Sequence, residues 1–271
     1  MAFDFFILAS DKKRISNRFN LAYFVEEISY TPDFRITAGS ECYVINNYQT
    51  KEILQYKFGL ESHNSSQRLC FVRAEGNRNM DDNPLYTGSK AIFLDPDYNR
   101  LIRSQRCLVL ADAFVVGTEH QNPHVVYLRG KNRPFAFAGI YSTGKDSQEP
   151  ESFSIITTVA NKLLLKLGQK RMPVLLFPEH EHSWLKTSSP LSEILSILTP
   201  FPANLMNAYQ ISHNIFTSDI NNRTVIEPVG KPLYDETLIY RMVPRAKKRE
   251  GKEPRDNLTL GERARLSRKS E

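Results

Sequence analysis

Three cysteines, a single tryptophan and no long apolar run are the first things this chain of 271 residues lacks. Cys42, Cys70 and Cys107 are odd in number and show no CxxC spacing, which excludes a disulfide framework and a zinc ribbon and leaves reduced thiols as the plain reading. No apolar stretch approaches the roughly 20 residues needed to cross a bilayer, and acidic Asp4 stands where a secretory leader carries positive charge. A cytoplasmic protein without a membrane partner is therefore expected. HExxH, GxSxG and phosphate-cradling glycine loops are all missing, so the familiar zincin, serine-hydrolase and P-loop chemistries have no foothold. No cofactor is implied, and oligomeric state is not encoded in any pattern.

Charge is present but unevenly placed. The segment from Arg241 to Glu271 holds 11 Lys/Arg and 5 Asp/Glu, which accounts for the whole net charge of +6. The body is formally neutral. With almost no apolar periodicity, 241–271 reads as a basic, flexible tail beside a domain spanning 1–240. Clustered Lys and Arg release counterions from phosphate, so such a tail suits nucleic acid as well as it suits solubility.

Strand-like runs dominate the body. Phe5–Ala9, Glu41–Asn46, Ile53–Phe58, Cys107–Ala111, Ala113–Val116, His124–Leu128, Phe135–Ile140, Phe153–Thr158 and Val174–Phe177 are β-branched, aromatic and bounded by turn residues. Helical spacing is seen over Arg14–Phe24, Val159–Leu167 and Leu191–Leu198. The pattern predicts an α+β, mostly β fold with peripheral helices. Asn77–Lys90 and Ser142–Ser152 read as long loops, the kind that often serve binding. Glu179-His180-Glu181-His182 tempts a metal reading, but no second ligand set accompanies it, and a solvated turn with no metal is expected there.

Six short words in order carry a resemblance: Arg73-Ala74-Glu75, Arg106-Cys107-Leu108, Ala111-Asp112-Ala113-Phe114, Phe135 to Ile140, Ile155 to Asn161, and Arg171-Met172-Pro173-Val174, with Trp184-Leu185 after them. From Phe58-Gly59-Leu60 to Glu227-Pro228-Val229 the chain resembles the SOS response-associated peptidase (SRAP) family. The resemblance implies a single domain of mixed and antiparallel sheets forming a distorted barrel, with a positively charged cleft that binds single-stranded DNA at abasic sites. It also implies a role in the DNA damage response. In that family a Cys exposed by removal of the initiator Met closes a thiazolidine with the abasic-site aldehyde, assisted by an Asn, a Glu and a His. An α-amine can condense with an aldehyde, a neighbouring thiol can close the ring, and acid–base groups can move the protons.

This sequence departs from the family at each reactive position. Ala2 stands for the Cys, Phe71 for the Asn, Val116 for the Glu and Gln169 for the His, and Phe3-Asp4 replaces a Gly-Arg pair. Ala2 has no thiol, Val116 carries no proton and Gln169 does not titrate, so no catalytic residue is assigned. Glu119 points to the other face of a strand from Val116 and is no simple replacement. A free α-amine on Ala2 retains the capacity for a reversible imine. Arg73 and Arg171 keep the positions that touch phosphate, with pairing to an internal carboxylate such as Glu75 or Asp112 as the structural alternative. Phe58 and Phe71 are the candidate stacking faces, weighed against plain core packing. Three readings stand open: a nucleoid-associated or cytoplasmic binder of single-stranded DNA without the crosslink, an abasic-site processing or autopeptidase-like enzyme with displaced groups, and a scaffold that keeps the fold alone.

Overall fold

A computed structural model describes residues 2–21, 29–62, 65–117, 122–130, 133–143 and 151–236, with side chains described for all of these except 62 and 65–67. The basic tail expected over 241–271, Glu119, the interior of the Ser142–Ser152 loop and the end of the helix expected to reach Phe24 lie outside the described residues. Met1–Tyr234 form one compact unit.

In chain order its elements are β1 (Phe5–Leu8), α1 (Lys12–Phe19), β2 (Asp33–Ile36), β3 (Glu41–Asn46), β4 (Leu54–Phe58), β5 (Leu60–Ser62), β6 (Ser65–Leu69), β7 (Phe71–Arg73), α2 (Pro96–Ser104), β8 (Arg106–Ala111), β9 (Ala113–Val116), β10 (His124–Leu128), β11 (Phe135–Ser142), β12 (Ser152–Val159), α3 (Lys162–Lys166), β13 (Arg171–Pro173), β14 (Leu175–Leu176), α4 (Pro178–Leu185), α5 (Leu191–Ile197), β15 (Met206–Gln210) and α6 (Asn214–Thr217). Strand outweighs helix, as the sequence pattern predicts.

Two sheets carry the fold. In the larger, β12 pairs β4, β4 pairs β3, β3 pairs β8, β8 pairs β11, and β11 returns to β12, so the ring of pairings closes into a small distorted barrel. Closure leaves no free edge among those five strands. The other sheet runs β15-β10-β9-β1-β2 and is antiparallel throughout. Alternation along its strands sorts side chains to two faces. Phe6, Phe114, Val116 and Val126 join the main core, while Ile7, Ala113, Val115, Val125 and Tyr127 form a smaller cluster with Ile211, Ile215 and Val225 on the outer face.

Local chemistry explains where the helices differ from the expected spans. Asp11 caps α1 by accepting from the Arg14 backbone N–H at 2.8 Å, and Asn20 ends it in the left-handed region at φ 50°, so it stops before Phe24. Val159 remains in β12, and α3 starts only after Asn161, whose side chain accepts from the Leu164 N–H at 3.0 Å. The polar Gly168-Gln169 elbow is the Schellman stop of α3. Gly168 sits at φ 78°, its N–H donates to the Leu165 carbonyl, and that of Gln169 donates to Leu164. The Glu179–His182 run is not a solvated turn. Pro178 starts α4 there, and Glu181 is turned inward to receive both Arg18 guanidinium nitrogens, at 2.6 and 3.0 Å.

Arg106 fastens the helices to the barrel. Its fully buried guanidinium donates to the carbonyls of Trp184 at 2.6 Å, Ile102 at 2.9 Å and Lys186 at 2.7 Å, and also to that of Arg103. Trp184, equally buried, donates from its indole to the Cys107 carbonyl at 3.0 Å. One side chain thereby ends α2 and holds α4. Replacing it with Met removes the guanidinium from four carbonyls, of which that of Lys186 keeps another donor, the Ser189 N–H at 3.1 Å. Arg106→Met is expected to lower stability by about 3 kcal/mol or more, measured as a shift of the urea midpoint at unchanged denaturant slope.

Candidate active site and nucleic-acid interface

β12 is buried along its whole length and hangs the site's strands on either side. β7 lies parallel to it with Thr157 opposite Arg73, and β13 lies antiparallel with Val159 opposite Arg171. Pairing brings Arg73, Thr157 and Arg171 to one face. Phe71 shares that face of β7, two residues before Arg73.

The two arginines converge on carboxylates rather than on open solvent. Arg73 forks onto Asp82 at 3.1 and 3.2 Å, and Arg171 reaches the same Asp82 at 3.1 Å and Glu75 at 2.8 Å. Arg171 also donates to the Thr157 hydroxyl and carbonyl. Lys90 completes the cluster with bonds of 2.7 Å to Glu75 and 2.8 Å to Thr158. Asp82 takes a left-handed backbone, φ 52°, a region that Asp tolerates better than most residues. Three cations thus face two carboxylates. Exposure grades across the cluster: Arg171 shows 8% of its side chain, Lys90 16% and Arg73 37%.

The internal carboxylate that the sequence offered as a partner for Arg73 is Asp82 rather than Glu75 or Asp112, and Glu75 pairs with Arg171 and Lys90 instead. Asp112 is consumed elsewhere, accepting from the backbone N–H groups of Ala9 and Ser10 at 2.7 Å each and from the Ser10 hydroxyl at 2.6 Å. Nothing in the sequence near Asp82 signals its role, apart from a loop long enough to fold back.

Of the four positions matching the family's reactive residues, two are packed shut and two are half-buried. Ala2 is 1% exposed and Val116 likewise, both in the main core. Phe3 drives its ring edge-on against Phe71 at 4.8 Å, stacks on Phe137 at 5.6 Å and touches Phe114 at 5.6 Å. Phe71 in turn meets Phe58 at 5.8 Å, and Phe58 stacks on Phe153 at 5.2 Å. Aromatic pairs of this kind contribute ~0.5–1.5 kcal/mol each beyond area burial. Phe58 is only 2% exposed, so it belongs to the core and has no face on which a base can lie; Phe71 is half-buried. Gln169 is half-buried in the turn after α3. Burial raises the Asp4 carboxyl to about 6, partly offset by a hydrogen bond from the Gly117 backbone.

The three cysteines are free thiols, two buried and Cys70 half-buried. Burial raises all three, most strongly for Cys42 and Cys107, and Arg68 only partly offsets the rise at Cys70. Among the described residues no group of three or more His, Cys, Asp and Glu is placed to hold a metal ion. No described helix is long and apolar enough to cross a membrane.

A closed mostly β barrel with an arginine pair on the strands flanking its central strand defines the class. The model of the family described as SOS response associated peptidase (SRAP) matches residues 5–218, and the chain belongs to that family. It is 26% identical over 235 residues to the abasic site processing protein YoqW of Bacillus subtilis (strain 168), covering 82% of this chain and 97% of that one. Abasic site processing protein YoaM of the same organism is 27% identical over 230 residues, covering 80% and 93%. Among solved structures, a Bacteroides thetaiotaomicron protein superposes with a TM-score of 0.68 at 24% identity, covering 83% of this chain and 99% of that one. A phage-related protein of Bordetella bronchiseptica gives 0.58 at 19% identity, covering 77% and 93%.

Glu75 makes the cluster pH-sensitive. Burial alone would raise its carboxyl, but hydrogen bonds from Lys90, Arg171 and Thr158 prevail and hold it at about 2, below its ordinary 4.5. A depressed folded value stabilises above the unfolded value and is lost as pH falls. The chain is expected to lose about 3 kcal/mol between roughly pH 5 and pH 2 from this group. Parallel urea titrations of the native chain and Glu75→Gln check this: the variant is less stable at pH 7, and the gap between them narrows over that window.

Proposed function

We propose that this SRAP-family protein serves the DNA damage response by holding single-stranded DNA non-covalently, without the thiazolidine crosslink. The observation that carries the reading is the contact of Phe3 with Phe71 at 4.8 Å above a buried Ala2. It fills with two rings the place where a thiol, an amine and an aldehyde would have to meet. An imine on the Ala2 amine has no room for its aldehyde at that position, where Ala2 is buried. An enzyme with displaced groups finds little support, because Cys42 and Cys107 are buried and burial raises the half-buried Cys70 thiol as well. The names of the relatives, abasic site processing proteins, support the DNA-damage setting.

Arg73 is the phosphate contact in this reading. Over a third of its side chain is exposed, and its cluster carries one more cation than anion. A phosphate oxygen approaching it would share the guanidinium with Asp82. The burial of Arg171 between Glu75 and Asp82 favours a second reading, a scaffold that keeps the arginines for structure.

Intact and abasic single strands, titrated by fluorescence anisotropy across about 50 to 200 mM salt, separate the two. Binding of both strands is expected to weaken steeply with salt, Arg73→Gln is expected to reduce the slope by about one, and no adduct is expected on denaturing gels after borohydride treatment. A trapped adduct on the abasic strand overturns the non-covalent reading. Absence of binding to either strand overturns the DNA reading and leaves the scaffold.

A further inference from the structure

A second concavity lies on the opposite side of the five-stranded sheet from Val116. Ile7, Ala113, Val125 and Tyr209 of β1, β9, β10 and β15 face outward into a cavity of about 890 Å³, whereas Phe6, Phe114, Val116 and Val126 face the main core. The two sides are separated by the sheet itself, so this cavity is no part of the Phe3–Phe71 region.

Three arginines from distant parts of the chain line it. Arg14 comes from α1, Arg133 from the segment leading into β11, and Arg223 from the turn that follows α6. None of them forms an ion pair with a carboxylate among the described residues. Arg14 donates from Nε to the Arg133 carbonyl at 3.0 Å, which brings those two segments together, and the Arg133 guanidinium lies 4.6 Å from the centre of the Tyr127 ring. Burial raises the Tyr209 phenol, and the nearby positive charges of Arg133 and Arg223 partly offset the rise.

Asp11, Asp112 and Glu227 also line the hollow and balance the arginines in formal charge, but none of them is paired with a guanidinium among the described residues. Asp112 accepts from Ala9 and Ser10, and Asp11 accepts from the Arg14 backbone as the cap of α1. Glu227 is exposed at the rim. The guanidiniums therefore keep N–H donors that an anion entering the hollow can use.

We propose that this cavity binds a phosphate monoester carried on a planar aromatic group, as in a nucleoside monophosphate. Three guanidiniums from three separate segments of the chain line one hollow and offer donors enough for a dianion with three acceptor oxygens, whereas a carboxylate offers one charge and two oxygens. Half-buried Tyr209 and Phe34 line the same hollow and offer faces to a base. The same chemistry is offered by a free mononucleotide and by the phosphorylated 5′ end of a DNA strand.

Calorimetric titration of the full chain with adenosine monophosphate and with adenosine tests the site. The monophosphate is expected to bind at least about ten-fold more tightly than the nucleoside. Arg14→Gln and Arg223→Gln, both at exposed positions that should fold normally, are each expected to weaken it about five-fold or more, while Glu227→Gln tightens it by removing a repulsive charge. Arg68→Gln, which breaks a pair with Glu61 and a hydrogen bond to the Gly59 carbonyl away from the cavity, should leave it unchanged. A 5′-phosphorylated oligonucleotide that outcompetes its 5′-hydroxyl twin assigns the site to strand ends; competition by the free nucleotide alone assigns it to mononucleotides. Equal affinity for adenosine and its monophosphate, no binding of either, or indifference to both arginine substitutions overturns the proposal.

Discussion

One buried strand bears everything else. β12, Ser152 to Val159, has no exposed residue and is paired by β4, β7, β11 and β13 at different points along its length. A strand shared in this way cannot shift by one residue without turning Thr157 and Ile155 to the wrong side of the sheet. Its register therefore fixes three things at once: closure of the barrel, the alignment of Arg73 with Arg171, and the placing of Phe71 beside them. The site is a by-product of how the barrel closes.

On that frame the two halves of the site have opposite physical characters. Around Glu75 the interior is polar and fully used, with each oxygen of the carboxylate receiving a cation and a hydroxyl adding a third donor. A buried ion network of this kind owes its rigidity to complete satisfaction, since loss of one partner strands the others in low dielectric. Next to it, Phe3, Phe71, Phe58 and Phe137 form a dry cluster held by ring contacts. The boundary between them passes along β7, from Phe71 to Arg73.

Much of this was legible in the residues. The β-branched and aromatic runs of β3, β9 and β10 mark those strands to the residue, because each is framed by turn chemistry and reads the same locally and globally. β7 and β13 are three residues long, too short for any periodicity, and only pairing with β12 makes them strands. α2 and α4 carried their signals in Pro96 and Pro178 at the first helical turn, which a search for apolar stripes passes over. At the site, Arg73, Arg171 and Glu75 could be named from the family words. Asp82 could not, because its place depends on a loop folding back over β7. Phe58 stood open between core packing and a stacking face, because an aromatic residue looks the same in sequence whether its face is open or covered, and it is buried.

The contact of Phe3 with Phe71 also constrains how this sequence can change. A cysteine introduced at position 2 would arrive in a filled interior, with its thiol shielded from any aldehyde by the neighbouring rings. Making space requires shrinking Phe3 or Phe71 first, and truncating a buried phenylalanine costs about 3–5 kcal/mol when the surroundings do not collapse. Each such step is a loss until all are in place. The valley between this sequence and a thiol-bearing one thus takes up a large share of the roughly 5–15 kcal/mol that keeps a typical domain folded.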